Sequence, residues 1–290
     1  MTIFYIKNIV VHLDSFNYFI SFERIQISVM RKPFYLFLLF FLSSCFGSFS
    51  EGEMYFRQAE YEKAVSEFSK ALFINLTDVK SLHLRARSYE ELEEYEKALE
   101  DYKAIIRFDP AYAQAFAGVG KVYWKQEDYR NAEKYLLLAA NQDGKDFEII
   151  YLLGRAMLMN GNNKSADEFL QMAKEMRPKD SKVYFYQGMA RSQIGDLLGA
   201  AGSFNMCLNY DPDNLPAKYN RGLIRLLIGY AEWALEDFDD ILKSNPNHIE
   251  ALARRGYAKL AINDNTGCKD LKEAAGKGSV YAQMHLEHCE

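Results

Sequence analysis

The chain has 290 residues and a net charge of −5, and 26% of its residues are charged and 49% hydrophobic. The acidic excess disfavours a general nucleic-acid-binding protein, which needs a basic surface to neutralise phosphates. The composition is typical of a globular helical protein that is long enough to bury a continuous core.

An export signal is predicted near the N-terminus. Residues 1–29 show no pattern that indicates a function, and we interpret them as an upstream extension, with translation starting at Met30. Residues 30–32 are Met-Arg-Lys, residues 34–42 form an apolar run, and residues 43–45 are Ser-Ser-Cys. A basic start, a short apolar stretch and small residues are typical of a secretory signal peptide. The apolar run is shorter than the roughly 20 residues of a transmembrane helix.

Cys45 is a predicted lipidation site. The sequence Leu42-Ser43-Ser44-Cys45 resembles the bacterial lipobox, whose cysteine receives diacylglycerol and becomes the mature N-terminus. We therefore expect residues 30–44 to be removed as a lipoprotein signal peptide. An ordinary signal peptide, or an uncleaved anchor, with an incidental cysteine is the alternative. Phe46 follows the cysteine where an aspartate would resemble an inner-membrane retention signal, which favours the outer membrane.

A period of 34 residues organises the rest of the chain. Small residues recur at this spacing in two series. The first series is Gly52, Ala86, Gly120, Gly154, Gly188, Gly222 and Gly256, and the second is Ala64, Ala98, Ala132, Ala166, Ala200, Ala234 and Cys268. Seven units follow one another without an insertion or a deletion. A fixed period of this length predicts an array of helical pairs.

Large apolar residues complete each unit. A bulky residue lies one helical turn after the second-series residue in six units, as Phe68, Tyr102, Leu136, Leu170, Phe204 and Phe238. The small residues should let two antiparallel helices approach closely, while the large ones fill the space beside them. Proline, which cannot donate a backbone hydrogen bond, is predicted to end the second helix. It occurs as Pro110, Pro178, Pro212 and Pro246, whereas Leu76 and Gly144 take its place in two other units.

These residues resemble the tetratricopeptide repeat. The stretch Ala98-Leu99-Glu100-Asp101-Tyr102, followed by Phe108-Asp109-Pro110, is close to the consensus of that family. The resemblance implies an all-α fold, a right-handed superhelix of about seven helix pairs over residues 45–282. A C-terminal capping helix over residues 283–290 should cover the apolar face of the last pair. The last unit departs from the pattern, because Lys272 stands where an aromatic residue is expected.

The resemblance also implies where a partner binds. In this family the first helix of each pair lines a concave groove, and the residue after the first-series residue faces it. These positions hold the basic residues Arg87, Lys121 and Arg155, followed by Met189, Leu223 and Tyr257. Trp124 lies one helical turn after Lys121. Three further aromatic residues are expected to face the same groove, namely Tyr151, Phe185 and Tyr219. A basic end and an aromatic–aliphatic end would suit an extended peptide with acidic and apolar residues. The alternative is that the basic residues balance nearby acidic groups while the aromatic residues pack between helices.

The remaining cysteines raise the question of a disulfide. Cys207 and Cys268 stand at small-residue positions of the repeat, where burial as a small apolar group is the default. In an exported protein a Cys268–Cys289 bridge would join the C-terminal cap to the last unit, although the sequence leaves their pairing open. His285 and His288 beside Cys289 lack a fourth ligand nearby, so we predict no metal site.

The sequence carries no motif for catalysis or for a cofactor, such as a glycine-rich phosphate loop or a nucleophile elbow. We interpret the acidic runs at residues 90–94 and 237–240 as solvated faces rather than acid–base pairs. We therefore predict no enzyme and no cofactor. The expected function is a protein–protein interaction scaffold or adaptor, anchored by lipid to the outer membrane and facing the periplasm.

Two other functions remain as alternatives. One is a cytoplasmic chaperone adaptor whose apolar N-terminal run is not a signal. Some family members hold a chaperone's terminal carboxylate with a lysine–asparagine clamp, but His83 and Arg87 stand where that clamp would begin. The other alternative is an enzyme or metal-binding protein with a site that the sequence does not reveal.

Overall fold

The computed structural model of the chain describes residues 48–289, so Cys45 and the predicted signal peptide lie outside the described residues. The described residues form fifteen α-helices and a terminal 3₁₀ turn. The helices are α1 Ser48–Arg57, α2 Tyr61–Ile74, α3 Val79–Glu91, α4 Tyr95–Phe108, α5 Ala113–Lys125, α6 Tyr129–Gln142, α7 Phe147–Met159, α8 Asn163–Met176, α9 Ser181–Gln193, α10 Leu197–Tyr210, α11 Leu215–Leu227, α12 Ala231–Ser244, α13 Ile249–Ala261, α14 Gly267–Gly276 and α15 Val280–Met284. The chain divides into two compact units, residues 1–97 and residues 98–290.

The helices repeat with the period of the sequence. Helices α1 to α14 form seven successive pairs, each with an odd-numbered first helix and an even-numbered second helix. From α3 to α13 every first helix has 13 residues, and from α2 to α12 every second helix has 14. The predicted all-α fold of repeated helix pairs is confirmed.

The two helices of a pair meet at the first-series glycine. A Cβ atom added at Gly188 would lie 2.8 Å from Cε1 of Phe204, and one added at Gly120 would lie 2.6 Å from Cγ of Leu136. Both bulky residues are almost completely buried. In these two pairs the small residue therefore leaves room for a large side chain of the second helix, and this contact fills the core between the helices.

A third series with the same period marks the turn between the two helices of a pair. One residue in each turn has a positive φ angle, namely Ala59, Glu93, Glu127, Gly161, Gly195, Gly229 and Asn263. This left-handed conformation is the usual way to end a helix, and glycine adopts it without steric cost. Sequence inspection did not find the series, because only three of its members are glycine.

Side chains, rather than proline alone, define the turns between pairs. The carboxylate or amide oxygens of Asn75, Asp109, Asp143 and Asn245 accept a hydrogen bond from the backbone N–H two residues later. Helices α2 and α6 end in the same register as the others, although no proline follows them. The polar residue after the helix thus supports the turn in pairs with and without proline.

Buried ion pairs join the helices of the sixth pair. Asp237, on α12, has a side chain only 2% exposed. It accepts hydrogen bonds from Arg221 Nε and from Arg225 Nη1, both on α11. The interpretation of residues 237–240 as a solvated face was therefore wrong for Asp237, whose charge is buried between two arginines.

The seventh pair repeats this arrangement. Asp270, on α14, accepts a hydrogen bond from Arg255 Nε at 2.7 Å and one from Lys259 Nζ at 2.8 Å. Burial alone would raise the pKa of Asp270, but the bonds from Arg255 and Lys259 outweigh it and hold that pKa below its usual range.

The C-terminal cap begins with helix α15 at Val280. Helix α15 leads into a 3₁₀ turn over Leu286–Cys289, and Ala282 and Leu286 pack against the last pair. A disulfide joins Cys289 to Cys268 on α14, with a sulfur–sulfur distance of 2.16 Å. In the part of the chain that the structure describes, no helix is long and apolar enough to cross a membrane.

We expect Gly188→Leu to destabilise the protein by about 1–3 kcal/mol, because the added side chain has to occupy the space of Phe204. Repeats couple mainly to their neighbours, so faster hydrogen exchange should be confined to α7–α12. Gly202→Leu is the matched control, since Gly202 is exposed and nothing lies within 4 Å of an added Cβ atom. Equal loss of protection along the whole chain would contradict this picture.

We expect the seventh pair to lose stability in acid. Because the folded pKa of Asp270 is lowered, its stabilising contribution is complete above the unfolded value of about 3.9 and is lost as the pH falls through the folded pKa. Asp270→Asn should remove this dependence and cost roughly 3 kcal/mol at neutral pH. Urea unfolding followed by circular dichroism at several pH values measures both effects. Glu273→Gln, an exposed neighbour, should leave the acid dependence unchanged.

Candidate functional site

The first helices of neighbouring pairs contact one another directly in the second unit, from α5 to α13. The residues that follow each first-series position therefore come side by side there. We call them the first-helix row; in the second unit its members are Lys121, Arg155, Met189, Leu223 and Tyr257. Arg87 belongs to the first unit, where its guanidinium carbon lies 4.9 Å from the ring centroid of Phe56.

Arg155 is the centre of an aromatic cluster. Its guanidinium carbon lies 4.6 Å from the ring centroid of Trp124 on α5 and 4.6 Å from that of Tyr186 on α9. The ring of Tyr151, one turn earlier on α7, lies 5.3 Å away. Three successive first helices thus contribute to one cation–π cluster, which fixes the position of the arginine. Arg155 Nε is buried and has no hydrogen-bond partner among the described residues.

Tyr151 is a buried member of this cluster and not an exposed groove residue. It is only 8% exposed, and its ring stacks on Phe147 with a centroid distance of 5.6 Å. Burial raises the pKa of the Tyr151 hydroxyl above its ordinary value, although the charge of Arg155 acts in the opposite direction. Tyr151 therefore stays protonated at neutral pH and contributes packing and a hydroxyl dipole.

Lys121 differs from its neighbour in the row. Its side chain is exposed, and its ammonium forms no ion pair with any residue in the range 48–289. It precedes Trp124 by one turn of α5, so its charge lies beside the Arg155 cluster. Lys121 is therefore the most accessible cation of the row in the second unit.

The aromatic–aliphatic end is divided between core and surface. Phe185 is partly buried against the core of the fifth pair, with its ring 6.0 Å from that of Phe204. Tyr219 instead stacks on His248, with the centroids 5.5 Å apart. Tyr219 and His248 line a cavity of about 450 Å³ at the N-terminal ends of α11 and α13. The other lining residues are Leu215, Pro216, Asn220 and Glu250.

The C-terminal end of the row is also aromatic. Tyr257 lies 4.8 Å from the ring of His285 and 5.9 Å from that of Tyr281 on the cap. His288 is close by, but Cys289 is in the disulfide. Across residues 48–289, no three acidic, histidine or cysteine side chains form a group that could hold a metal ion. Burial raises the pKa of the remaining thiol in this range, Cys207, to about 11, which makes it a weak nucleophile.

The structure thus brings together Trp124, Tyr151 and Arg155 and leaves Lys121 exposed beside them. It separates these residues from Phe185, which packs inward, and from Tyr219, which lines its own cavity. Sequence reasoning missed Tyr186 and His248. Tyr186 precedes Gly188 by two residues, a position where the other units carry Ser50, Leu84, Gly118, Leu152, Asn220 and Arg254, so no repeated signal marked it.

Comparison of the sequence with protein families identifies two matching stretches. Residues 86–127 match a TPR repeat family, and residues 123–191 match a tetratricopeptide repeat family. No curated protein matches the chain at a significant level.

Several solved structures resemble the chain. YrrB, described as a TPR protein with an unusual peptide-binding site, is 29% identical, with a TM-score of 0.60 over 64% of this chain and 95% of YrrB. A tetratricopeptide repeat protein from Parabacteroides merdae is 13% identical, with a TM-score of 0.60 over 85% and 99% of the two chains. The pilF protein of Pseudomonas aeruginosa is 17% identical, with a TM-score of 0.60 over 72% and 95%. At their low identity, the last two show the fold alone.

Proposed function

Because this chain belongs to the tetratricopeptide repeat family, whose arrays serve as scaffolds for protein–protein interaction, we propose that the first-helix row of its second unit binds an extended segment of a partner protein. The observation that carries the proposal is the exposed Lys121 beside the cation–π cluster of Arg155. YrrB, which is similar over most of its length, is described as having a peptide-binding site. That description supports a peptide as the ligand.

The chemistry of the row indicates the kind of segment. Lys121 and Arg155 provide positive charge at one end, and their lack of ion-pair partners within residues 48–289 leaves that charge available for an acidic side chain. Met189 and Leu223 continue the row with apolar surface. An extended segment with acidic residues followed by apolar ones complements this order.

The site is tested by reversing one exposed charge. We expect Lys121→Glu to weaken binding several-fold, because it reverses a charge of the row, and to leave helicity unchanged, because the side chain is exposed. The effect should shrink with added salt, since exposed charges are screened over about 8 Å at physiological ionic strength. The measurement is affinity for the partner that in-cell cross-linking and mass spectrometry identify, at two salt concentrations.

Lys134→Glu is the matched control for that experiment. Lys134 is also exposed and belongs to the same helix pair, but it lies on the second helix, α6, and not on the first-helix row. If both variants weaken binding equally, the effect is due to net charge and the proposed site is wrong. If neither variant weakens binding, the first-helix row is solvent-exposed surface that does not contact the partner.

We place the scaffold in the bacterial cell envelope, anchored by lipid on Cys45 to the outer membrane and facing the periplasm. The support is the order of basic, apolar and small residues over 30–45. The Cys268–Cys289 disulfide gives independent support, because disulfides persist in oxidising compartments and are rare in the cytosol. It also disfavours the alternative of a cytoplasmic chaperone adaptor.

The anchor is tested with a single substitution. We expect Cys45→Ala to abolish incorporation of labelled fatty acid and to move the protein from the membrane to the soluble fraction, because stable anchoring needs more than one acyl chain. Cys207→Ala is the control, since it makes the same change at a repeat position where other pairs carry Ala71, Ala139 and Ala173. Equal labelling of both variants would rule out Cys45 as the lipid site.

A further inference from the structure

The turn of the sixth helix pair departs from the repeat. At the position that Tyr230 takes in the sixth pair, the other pairs carry the polar residues Glu60, Glu94, Asp128, Asn162, Asp196 and Asp264. In the first six pairs this residue directly precedes the second helix. Asp128 and Asp196 accept hydrogen bonds from the N–H groups of Asn131 and Gly199 and so cap their helices. Tyr230 provides no such bond to α12. Glu60 and Asn162 form no such bond either. The sixth pair therefore lacks the cap of the third and fifth pairs and carries an aromatic side chain in its place.

One neighbouring position departs in a similar way, and a second adds exposed apolar surface. Trp233 occupies a position that holds Lys63, Lys97, Asn131, Ser165, Gly199 or Gly267 in the other pairs. Leu227 lies at a position whose residue type varies along the repeat and is also apolar, as Met159, in the fourth pair. All three apolar side chains are exposed: Leu227 by 70%, Tyr230 by 48% and Trp233 by 53%. Together with Ile262 of the next turn they form what we call the loop-edge patch.

The loop-edge patch contains a preformed cavity. A space of about 280 Å³ lies between the sixth and seventh turns, lined by Gly229, Tyr230, Ala231, Glu232, Trp233, Ala261 and Ile262. The Tyr230 and Trp233 rings lie 5.0 Å apart, and Arg225 Nη1 donates a hydrogen bond to the Trp233 carbonyl at 2.9 Å. Such a volume is smaller than most small-molecule sites and matches one bulky apolar side chain.

The rim of the patch is acidic. Glu232 lines the cavity, and Glu236, one turn later on α12, is also exposed. Among the described residues that line the cavity there is no lysine or arginine. The nearby Arg225 is only 15% exposed and its charge is paired with Asp237. A ligand that inserts an apolar side chain would therefore find a negative rim.

We propose that the loop-edge patch is a second docking site, and that it binds a partner protein segment with a bulky apolar side chain next to a lysine or arginine. A second copy of this chain fits less well, because a two-fold contact would bring the same acidic residues together. An anionic lipid surface would be repelled by the same rim. The site does not depend on the lipid anchor or on the first-helix row.

A random dodecapeptide library displayed on phage, selected against the full-length protein in detergent, supplies the probe. We expect the selected peptides to combine a bulky apolar residue with a neighbouring Lys or Arg. One selected peptide is then synthesised with a fluorescein label, and its affinity for the protein is measured by fluorescence anisotropy. Tyr230→Asp and Trp233→Ser should each weaken binding at least about tenfold, as expected for aromatic residues at the centre of an interface. Glu232→Gln should weaken binding of the same peptide by a smaller factor.

Tyr230→Asp separates binding from folding. Aspartate restores the cap present in the turns of Asp128 and Asp196, so the variant should melt at a higher temperature than the original protein while losing the peptide. Phe108→Ser, which removes an exposed aromatic side chain from α4, should leave peptide affinity unchanged.

Three results would overturn the proposal. The first is a selected peptide whose affinity is unaffected by Tyr230→Asp and Trp233→Ser. The second is selection of peptides without basic residues. The third is sedimentation of the protein as a dimer that Tyr230→Asp dissociates, which would make a second copy the occupant.

Discussion

The close approach of two helices at one small residue is the contact on which this array depends. At Gly120, Gly154, Gly188 and Gly222 the Cβ position is taken by the bulky residue of the partner helix, so a larger side chain would push the helices apart. Within the second unit this contact recurs every 34 residues, so its pairs follow one another in the same register. The first helices of neighbouring pairs in the second unit can then contact one another, which creates a continuous row of side chains.

Residues outside that contact differ in type between pairs. As a result, some pairs of the second unit are held together by apolar packing and others also by buried ion pairs. The interior of the fourth pair is apolar around Leu153 and Leu170, whereas the sixth and seventh pairs join their helices through Asp237 and Asp270. Buried ion pairs contribute little net stability compared with apolar packing, but removing one partner leaves a costly unpaired charge. The lowered pKa of Asp270 is for this reason the basis of the acid sensitivity that we expect in the seventh pair.

The two proposed docking surfaces are related to the repeat in different ways. The first-helix row uses the repeat itself, since the same register delivers Lys121, Arg155 and Met189 to one face. The loop-edge patch depends on breaking the repeat, because Tyr230 provides no cap to α12 and Trp233 stays exposed. A repeated scaffold makes such a departure visible, since the six equivalent turns carry Glu, Asp or Asn at the position of Tyr230.

The sequence by itself determined the helical pairs, their number and the residues at their closest contact, because a helix face repeats with a regular spacing and small residues mark where backbones meet. It indicated Trp124, Tyr151 and Arg155 as neighbours for the same reason. Only the tertiary structure decided that Tyr186 completes their cluster, that Phe185 packs inward and that Asp237 is buried. These outcomes depend on contacts between residues far apart along the chain and on which side chains reach each other across the helices. No spacing along a single helix encodes such contacts, since burial and charge pairing are set by the neighbouring elements.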